Sequence, residues 1–145
     1  MRVLVVEDEA LLAAELEYII EDAGLTPSGF ALDSAEAIAQ LEGSPPDVAL
    51  VDVHLLDGPT GVDVARQAAA TAGVVAVFMT ANRKRIPDDF AGACGAISKP
   101  YTSWGMIAAL RFIEACLKEG RARGPAPDSL ELAPDWARRW AVASK

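Results

Sequence analysis

Four short apolar runs in this sequence each end abruptly at a polar residue. Most are rich in β-branched side chains, and none shows the strict polar–apolar alternation of a strand with one face in water. Strands buried on both faces have this pattern, because helices cover both sides of a parallel sheet. We therefore predict buried parallel strands at residues 3–6, 48–51, 74–79 and 95–97.

Amphipathic segments separate these runs. Between residues 9 and 23 the apolar side chains recur at steps of three and four residues, opposite a face of carboxylates, which predicts a helix that ends at Gly24. Further helical segments are predicted near Phe90 and at residues 34–41, 61–70 and 102–118, and a weaker strand at residues 26–31. Five strands that alternate with five helical segments indicate an α/β fold. The expected architecture is a doubly wound, five-stranded parallel sheet of the flavodoxin-like (βα)5 type, with strand order 2-1-3-4-5.

Length and charge narrow the class of protein. A chain of 145 residues forms about one domain, and its formal net charge of −8 disfavours a nucleic-acid surface, which needs clustered Lys and Arg. The residues after Met1 lack the pattern of a signal peptide, so none is expected, and no apolar stretch approaches the roughly 18 residues of a membrane span. Cys94 and Cys116 lie in apolar surroundings, as reduced thiols do. The sequence therefore predicts a cytoplasmic protein that binds neither DNA nor membranes.

The predicted domain occupies residues 1–119, and residues 120–145 form a tail of different composition. The tail is rich in Gly, Pro, Ala and Arg until Pro134, and residues 135–143 have the pattern of a short helix. Trp136 and Trp140 are four residues apart and would share one face of that helix. They are expected to pack on the same chain, with a neighbouring subunit or a partner protein as alternative contacts. The tail is too short for an output domain.

The residues that follow the strands carry the candidate chemistry. They are Glu7, Asp8, Asp52, Thr80 and Lys99. Each one alone has an ordinary explanation, such as a helix cap, a turn hydroxyl or a solvated charge. Together they form one set, because the carboxyl ends of parallel strands meet at the same edge of a sheet and build its ligand site.

Three carboxylates in one pocket require a cation. At about 4 Å and an effective dielectric constant near 20, each pair of carboxylates repels by roughly 4 kcal/mol. Oxygen ligands with room for water suit Mg2+. In such a site Asp52 would attack phosphorus, Lys99 would help to neutralise the phosphoryl oxygens, and Thr80 would donate a hydrogen bond to one of them afterwards. The expected product is an aspartyl phosphate.

The same set of residues resembles the receiver domains of response regulators, which work in two-component signalling. The resemblance covers residues 2–118 and rests on the motifs Glu7-Asp8, Asp52, Thr80-Ala81 and Lys99-Pro100. It implies that Asp52 is the phosphoacceptor and that Asp8 binds Mg2+ directly, with Glu7 acting largely through water. The backbone carbonyl of His54 is implied as the other protein ligand of the metal. The peptide bond between Lys99 and Pro100 is implied to be cis.

The resemblance also implies partners. A histidine kinase or a phosphotransfer protein would supply the phosphoryl group, and the phosphorylated domain would either bind a downstream protein or act as a phosphate sink. A homodimer remains open. Such a domain catalyses only its own phosphorylation and dephosphorylation, so it is not expected to be an enzyme for other substrates. The loop at residues 57–61 and the run at residues 77–81 further resemble an atypical, mostly stand-alone receiver subgroup common in alphaproteobacteria.

Two other functions compete with this hypothesis. A Mg2+-dependent phosphatase would also use an aspartyl nucleophile, but such enzymes normally need a second acid two residues later, where this chain has His54. The His54 side chain is instead expected to lie partly exposed beside the pocket. A flavodoxin-like electron carrier has a similar topology, but three carboxylates would repel the phosphate of a flavin.

The sequence departs from the family at two places. Receivers usually carry Tyr or Phe three residues before the lysine, and this chain has Ala96 there, so the usual relay from threonine to aromatic ring cannot operate. Tyr101 is one candidate substitute, and simple packing or solvent exposure is the other interpretation. Pro87 stands where a fourth helix would begin, which predicts a short, displaced or mobile helix. The preceding basic cluster, residues 83–85, is either a solvated charge run or a contact for an acidic partner or phosphate.

Overall fold

The computed structural model describes residues 1–143 and consists of one six-stranded sheet with helices on both faces. The strand order is β2-β1-β3-β4-β5-β6, and the first five strands are parallel. The predicted doubly wound α/β class and the order 2-1-3-4-5 are therefore confirmed, with a sixth strand added at one edge. The elements are β1 (Arg2–Val6), α1 (Ala10–Asp22), β2 (Thr26–Ala31), α2 (Ser34–Gly43), β3 (Val48–Asp52), α3 (Gly61–Ala69), β4 (Val75–Thr80), β5 (Gly95–Ser98), α4 (Ser103–Glu119), β6 (Glu131–Leu132) and α5 (Pro134–Arg139).

The sheet separates two apolar cores. Alternate side chains of a strand point to opposite faces, so Val3 and Val5 pack with α1 and α4, whereas Leu4 and Val6 pack with α2 and α3. All five residues of β3 and all six of β4 are buried, which explains why these strands read as continuous apolar runs. Within residues 1–143, no helix is long and apolar enough to cross a membrane.

A glycine sets the position of α3 below the end of β3. A Cβ atom on Gly61 would lie 2.0 Å from the carbonyl oxygen of Asp52, which is too close for any other residue without movement of the backbone. The amide of Gly61 donates a hydrogen bond of 3.0 Å to the carbonyl of Val53. The first turn of α3 therefore packs directly against the segment that carries Asp52, and this contact limits how far that segment can move.

Two short 3-10 turns replace the fourth helix of the predicted alternation. They span Arg83–Arg85 and Phe90–Gly92, and the chain between them passes through Pro87. Proline lacks the amide hydrogen that a continuing helix needs, so the turns cannot merge into one helix. The side chain of Asn82 begins the first turn by accepting a hydrogen bond from the amide of Lys84 at 3.2 Å. The predicted shortening of this segment is thus present.

The tail continues the sheet and the core. β6 pairs antiparallel with β5, with Leu132 opposite Gly95 and Glu131 opposite Ala96, and α5 follows directly. Trp140 is only 2% exposed, and its ring lies 4.9 Å from that of Trp136. The prediction that both tryptophans share one face and pack on the same chain is confirmed. The sixth strand was not predicted, because two residues are too few to show a period.

Candidate functional site

The ends of four parallel strands meet at one edge of the sheet and bring the predicted polar residues together. Glu7 follows β1, Asp52 ends β3, Thr80 ends β4 and Lys99 follows β5. These strands are neighbours in the order β1-β3-β4-β5, so their carboxyl ends lie side by side. Asp8 lies next to Glu7, before the first turn of α1.

Three carboxylates form the centre of the pocket. One ligand oxygen each from Glu7, Asp8 and Asp52 lies within 4.8 Å of the others. Glu7 is 1% exposed and Asp52 is 8% exposed, so two of the three acids are buried at the bottom of the site. Buried carboxylates at this spacing repel one another strongly, and each must be paired, protonated or bound to a cation.

The ammonium group of Lys99 partly balances this charge. Its Nζ donates hydrogen bonds to Asp52 Oδ2 at 2.8 Å and to Glu7 Oε2 at 3.1 Å. Burial lowers the pKa of Lys99, but the two hydrogen bonds and the two negative charges outweigh it, so the pKa lies above its ordinary value. Lys99 therefore stays charged, and one cation faces three carboxylates.

Burial and the excess of negative charge in the pocket raise the pKa of Glu7. Burial, and then the negative charge of Asp52, raise the pKa of Glu7 to about 7, against the opposing effect of Lys99. Near neutral pH a large share of the molecules therefore holds Glu7 in its protonated form when no metal is bound. A cation that binds here would displace that proton.

The donor set fits a hard divalent cation. All three side chains offer carboxylate oxygens, with neither sulfur nor imidazole among them, and oxygen-only sites of this kind suit Mg2+. The His54 side chain is exposed, and its backbone amide donates a hydrogen bond of 3.3 Å to Asp52 Oδ1. The ligand role of the His54 carbonyl stays a prediction.

Thr80 lies beside this cluster, but its hydroxyl is already engaged. The Oγ1 atom accepts a hydrogen bond from the amide of Asn82 at 3.0 Å and donates one to the carbonyl of Asn82 at 3.1 Å. The hydroxyl hydrogen is thus used within its own loop. Donation to a group bound at Asp52 would require Thr80 to give up its bond to the Asn82 carbonyl.

A network that sequence reasoning missed holds the loop after β3. Asp57 accepts hydrogen bonds from the hydroxyls of Ser34 and of Thr60, the latter at 2.6 Å. The bond from Ser34, followed by that from Thr60, lowers the pKa of Asp57 below its ordinary value. Three polar residues in turn positions were the only signal, and that pattern is common in solvated loops. The network ties the loop that includes His54 to the start of α2.

Ala96 stands three residues before Lys99, at the position where the resemblance to receivers implies an aromatic residue. Ala96 is buried in β5, and the peptide bond between Lys99 and Pro100 is cis, as the resemblance implied. Tyr101 is half-buried against the core beside α1 and α4, and burial raises its pKa to about 12. Its packing favours the structural interpretation of this ring. A cavity of about 370 Å³ adjoins it, lined by Leu12, Glu15, Ile19, Ala81, Lys99, Pro100, Tyr101 and Ser103.

Fold and pocket together define a class of protein: a doubly wound α/β domain with an acidic cluster and a lysine at the carboxyl edge of its sheet. The sequence model of the response regulator receiver domain matches residues 3–111. The chain therefore belongs to the response regulator receiver family of two-component systems, which confirms the resemblance seen in the motifs.

Individual relatives agree with this assignment. The sensory transduction protein RegX3 of Mycolicibacterium smegmatis is 32% identical over 114 residues, which is 77% of this chain and 49% of RegX3. The phyllosphere-induced regulator PhyR of Methylorubrum extorquens is 34% identical over 84 residues, covering 57% of this chain and 32% of PhyR. The crystal structure of the response regulator PhyR from Brucella abortus superimposes with a TM-score of 0.66 at 30% identity, over 79% of this chain and 49% of that one. The chain spans about half or less of the length of these relatives.

Proposed function

We propose that this protein accepts a phosphoryl group on Asp52 in a reaction that depends on Mg2+. The observation that carries the proposal is the position of the Asp52 carboxylate, which is buried, 2.8 Å from the ammonium of Lys99 and within 4.8 Å of the Glu7 and Asp8 oxygens. A nucleophilic carboxylate needs cations beside it, because both it and the incoming phosphoryl group are negative, and here Lys99 and a Mg2+ ion held by the acidic cluster would supply them.

The residues divide the work of phosphoryl transfer. A carboxylate oxygen of Asp52 forms the new bond to phosphorus while the bond from phosphorus to the donor breaks, and the donor leaves with the electron pair. Lys99 offers its ammonium to the phosphoryl oxygens, for which it must loosen its bond to Asp52. Glu7, Asp8 and Asp52 would hold Mg2+, which supplies charge neutralisation at the phosphoryl oxygens when bound. Thr80 would turn its hydroxyl from Asn82 towards the product.

The expected donors follow from this chemistry. A histidine kinase or a phosphotransfer protein would present a phosphohistidine, whose imidazole is a good leaving group. The phosphorylated protein would bind a downstream protein or serve as a phosphate sink, and it would catalyse only its own phosphorylation and dephosphorylation. The buried free thiols of Cys94 and Cys116 are consistent with a reducing, cytoplasmic environment. The net charge of −8 favours protein partners over DNA.

Small phosphodonors provide the test. The protein would be incubated with acetyl phosphate and Mg2+, and intact mass spectrometry would detect the gain of one phosphoryl group. We expect labelling that disappears when EDTA replaces Mg2+ and when Asp52→Asn is used. Labelling of Asp52→Asn at the rate of the wild type would show that Asp52 is not the phosphoacceptor. Undiminished labelling in EDTA would show that the reaction does not depend on Mg2+.

A further inference from the structure

The tail strand β6 connects to the phosphoacceptor pocket through a short series of contacts. Glu131 lies opposite Ala96 in the pairing of β6 with β5. The Glu131 carboxylate accepts two hydrogen bonds from the guanidinium of Arg83, at 2.8 and 3.2 Å. Arg83 follows Thr80 by only three residues. The Arg83–Glu131 ion pair thus joins the tail to the loop after β4. This loop contains Asn82, the hydrogen-bond partner of the Thr80 hydroxyl.

Arg83 is held firmly at its end of this connection. Its guanidinium lies 4.5 Å from the centre of the Phe90 ring, and the bidentate bond to Glu131 raises the pKa of Arg83 above its ordinary value. Asn82 caps the 3-10 turn that contains Arg83, so the segment from Thr80 to Arg85 is linked by hydrogen bonds throughout. Asn82 therefore links the Thr80 hydroxyl to the turn that contains Arg83.

Phosphorylation and tail docking make opposing demands on this segment. In the present arrangement the Thr80 hydroxyl donates to the carbonyl of Asn82. A phosphoryl group on Asp52 would take that hydrogen bond, and Asn82 would lose one of the contacts that set its position. A resulting shift of the Arg83 backbone would weaken its bidentate contact with Glu131.

The docking of β6 also depends on a glycine in β5. A Cβ atom on Gly95 would lie 2.3 Å from the carbonyl oxygen of Glu131 and 3.2 Å from a methyl group of Leu130. Only glycine therefore lets the tail approach β5 this closely. This contact offers a second way to loosen the tail without touching any charge or any residue of the pocket.

We propose that the docking of β6 on β5 is coupled to the phosphorylation of Asp52, with the Arg83–Glu131 ion pair as the coupling contact. The docked tail opposes the phosphorylated arrangement of the Thr80 loop, and phosphorylation in turn loosens β6 from β5. The inference rests on the proposed phosphorylation of Asp52. Coupling of this kind is reciprocal, so weakening the tail contact must favour the phosphorylated state by the same factor.

Affinity for beryllofluoride, a stable mimic of the phosphoryl group, measures the coupling in one direction. With Mg2+ present, Glu131→Gln and Arg83→Ala should bind beryllofluoride about two- to fivefold more tightly than the wild type, the range that an exposed ion pair can supply. Lys84→Ala is the matched control, since it removes a neighbouring exposed cation of the same turn and should leave the affinity unchanged. The double variant Arg83→Glu with Glu131→Arg should return towards the wild-type value.

Hydrogen exchange measures the other direction. The amide of Ala133 donates to the carbonyl of Cys94 at 2.8 Å and reports on the β6 pairing. Hydrogen exchange in residues 130–133 should become faster when the wild type is phosphorylated. In Gly95→Ala the same residues should exchange fast even without a phosphodonor. This variant should also bind beryllofluoride more tightly than the wild type.

The outcomes separate this inference from the proposed function. Absence of labelling by acetyl phosphate in the wild type would overturn both. Normal labelling with equal or weaker beryllofluoride binding by Glu131→Gln would overturn the coupling alone. Normal labelling with unchanged exchange at residues 130–133 would do the same.

Discussion

Glu7→Gln tests the electrostatic account of the pocket, because the amide imitates the protonated form of a residue whose pKa is raised to about 7 from the ordinary value of 4.5. A raised pKa means that the folded, metal-free protein binds the proton more tightly than the unfolded chain does. The corresponding stability is fully present below pH 4.5 and is lost as the pH rises through 7.

The size of the effect follows from the shift. A pKa raised from 4.5 to about 7 corresponds to roughly 3 kcal/mol of stability. Glu7 is almost completely buried, so solvent screening reduces this figure little. In EDTA at pH 8 the variant should therefore be about 3 kcal/mol more stable than the wild type, and the two should converge towards pH 4.5.

Urea unfolding between pH 4.5 and 8 in EDTA provides the assay. The pKa values of Asp57, Asp89 and Glu119 lie below their ordinary range, so their contributions to stability change at lower pH than that of Glu7. Glu9→Gln, an exposed change of the same charge two residues away, is the control and should show no such difference. Equal stability of Glu7→Gln and wild type at pH 8 would refute the reasoning.

Four further predictions concern the pocket and the tail. Asp52→Asn should lose labelling by acetyl phosphate and keep its fold by circular dichroism, whereas Asp63→Asn, an exposed change on α3, should be labelled normally. Lys99→Met should lower the free energy of unfolding in EDTA by about 3 kcal/mol, because it leaves buried carboxylates without a cationic partner, and an unchanged urea midpoint would contradict the pairing. Mg2+ at a hundred times its Kd should stabilise the wild type by about 2.7 kcal/mol, seen as a higher Tm. Trp140→Ala should cost about 3–5 kcal/mol, since this ring is 2% exposed, and Trp104→Ala, at 80% exposure, should cost little.

The central sheet and the pocket could be predicted from sequence because both depend on local patterns. Buried strands such as β3 and β4 are continuous apolar runs, and the polar residue after each run marks the carboxyl edge. Parallel topology then places Asp52 and Thr80 at one edge without any knowledge of distances. The proline in the segment after β4 correctly predicted that no full helix forms there.

Contacts between distant segments could not be predicted in this way. Arg83 and Glu131 are 48 residues apart, and nothing in their own neighbourhoods distinguishes them from solvated charges. β6 contains only two residues, so it has neither a period nor a β-branched run. Gly95 allows β6 to approach β5, but a glycine in a strand is ordinarily interpreted as a residue that weakens the strand. These features could be identified only from the structure, in which the tail pairs with β5.

The antiparallel pairing of β6 has a consequence for how the domain is cut from the chain. The family match stops at residue 111, yet the apolar core continues to Trp140. A truncated protein that ends after α4 would present the unpaired backbone of β5 beside the apolar surface that Leu130 and Trp140 now cover. The exposed edge of a strand can pair with a strand of another molecule. The strand at the opposite edge of the sheet, β2, contains Pro27, which has no amide hydrogen to donate and so disfavours such pairing. Shortened versions of this protein are therefore expected to self-associate through β5, visible as larger species in size-exclusion chromatography.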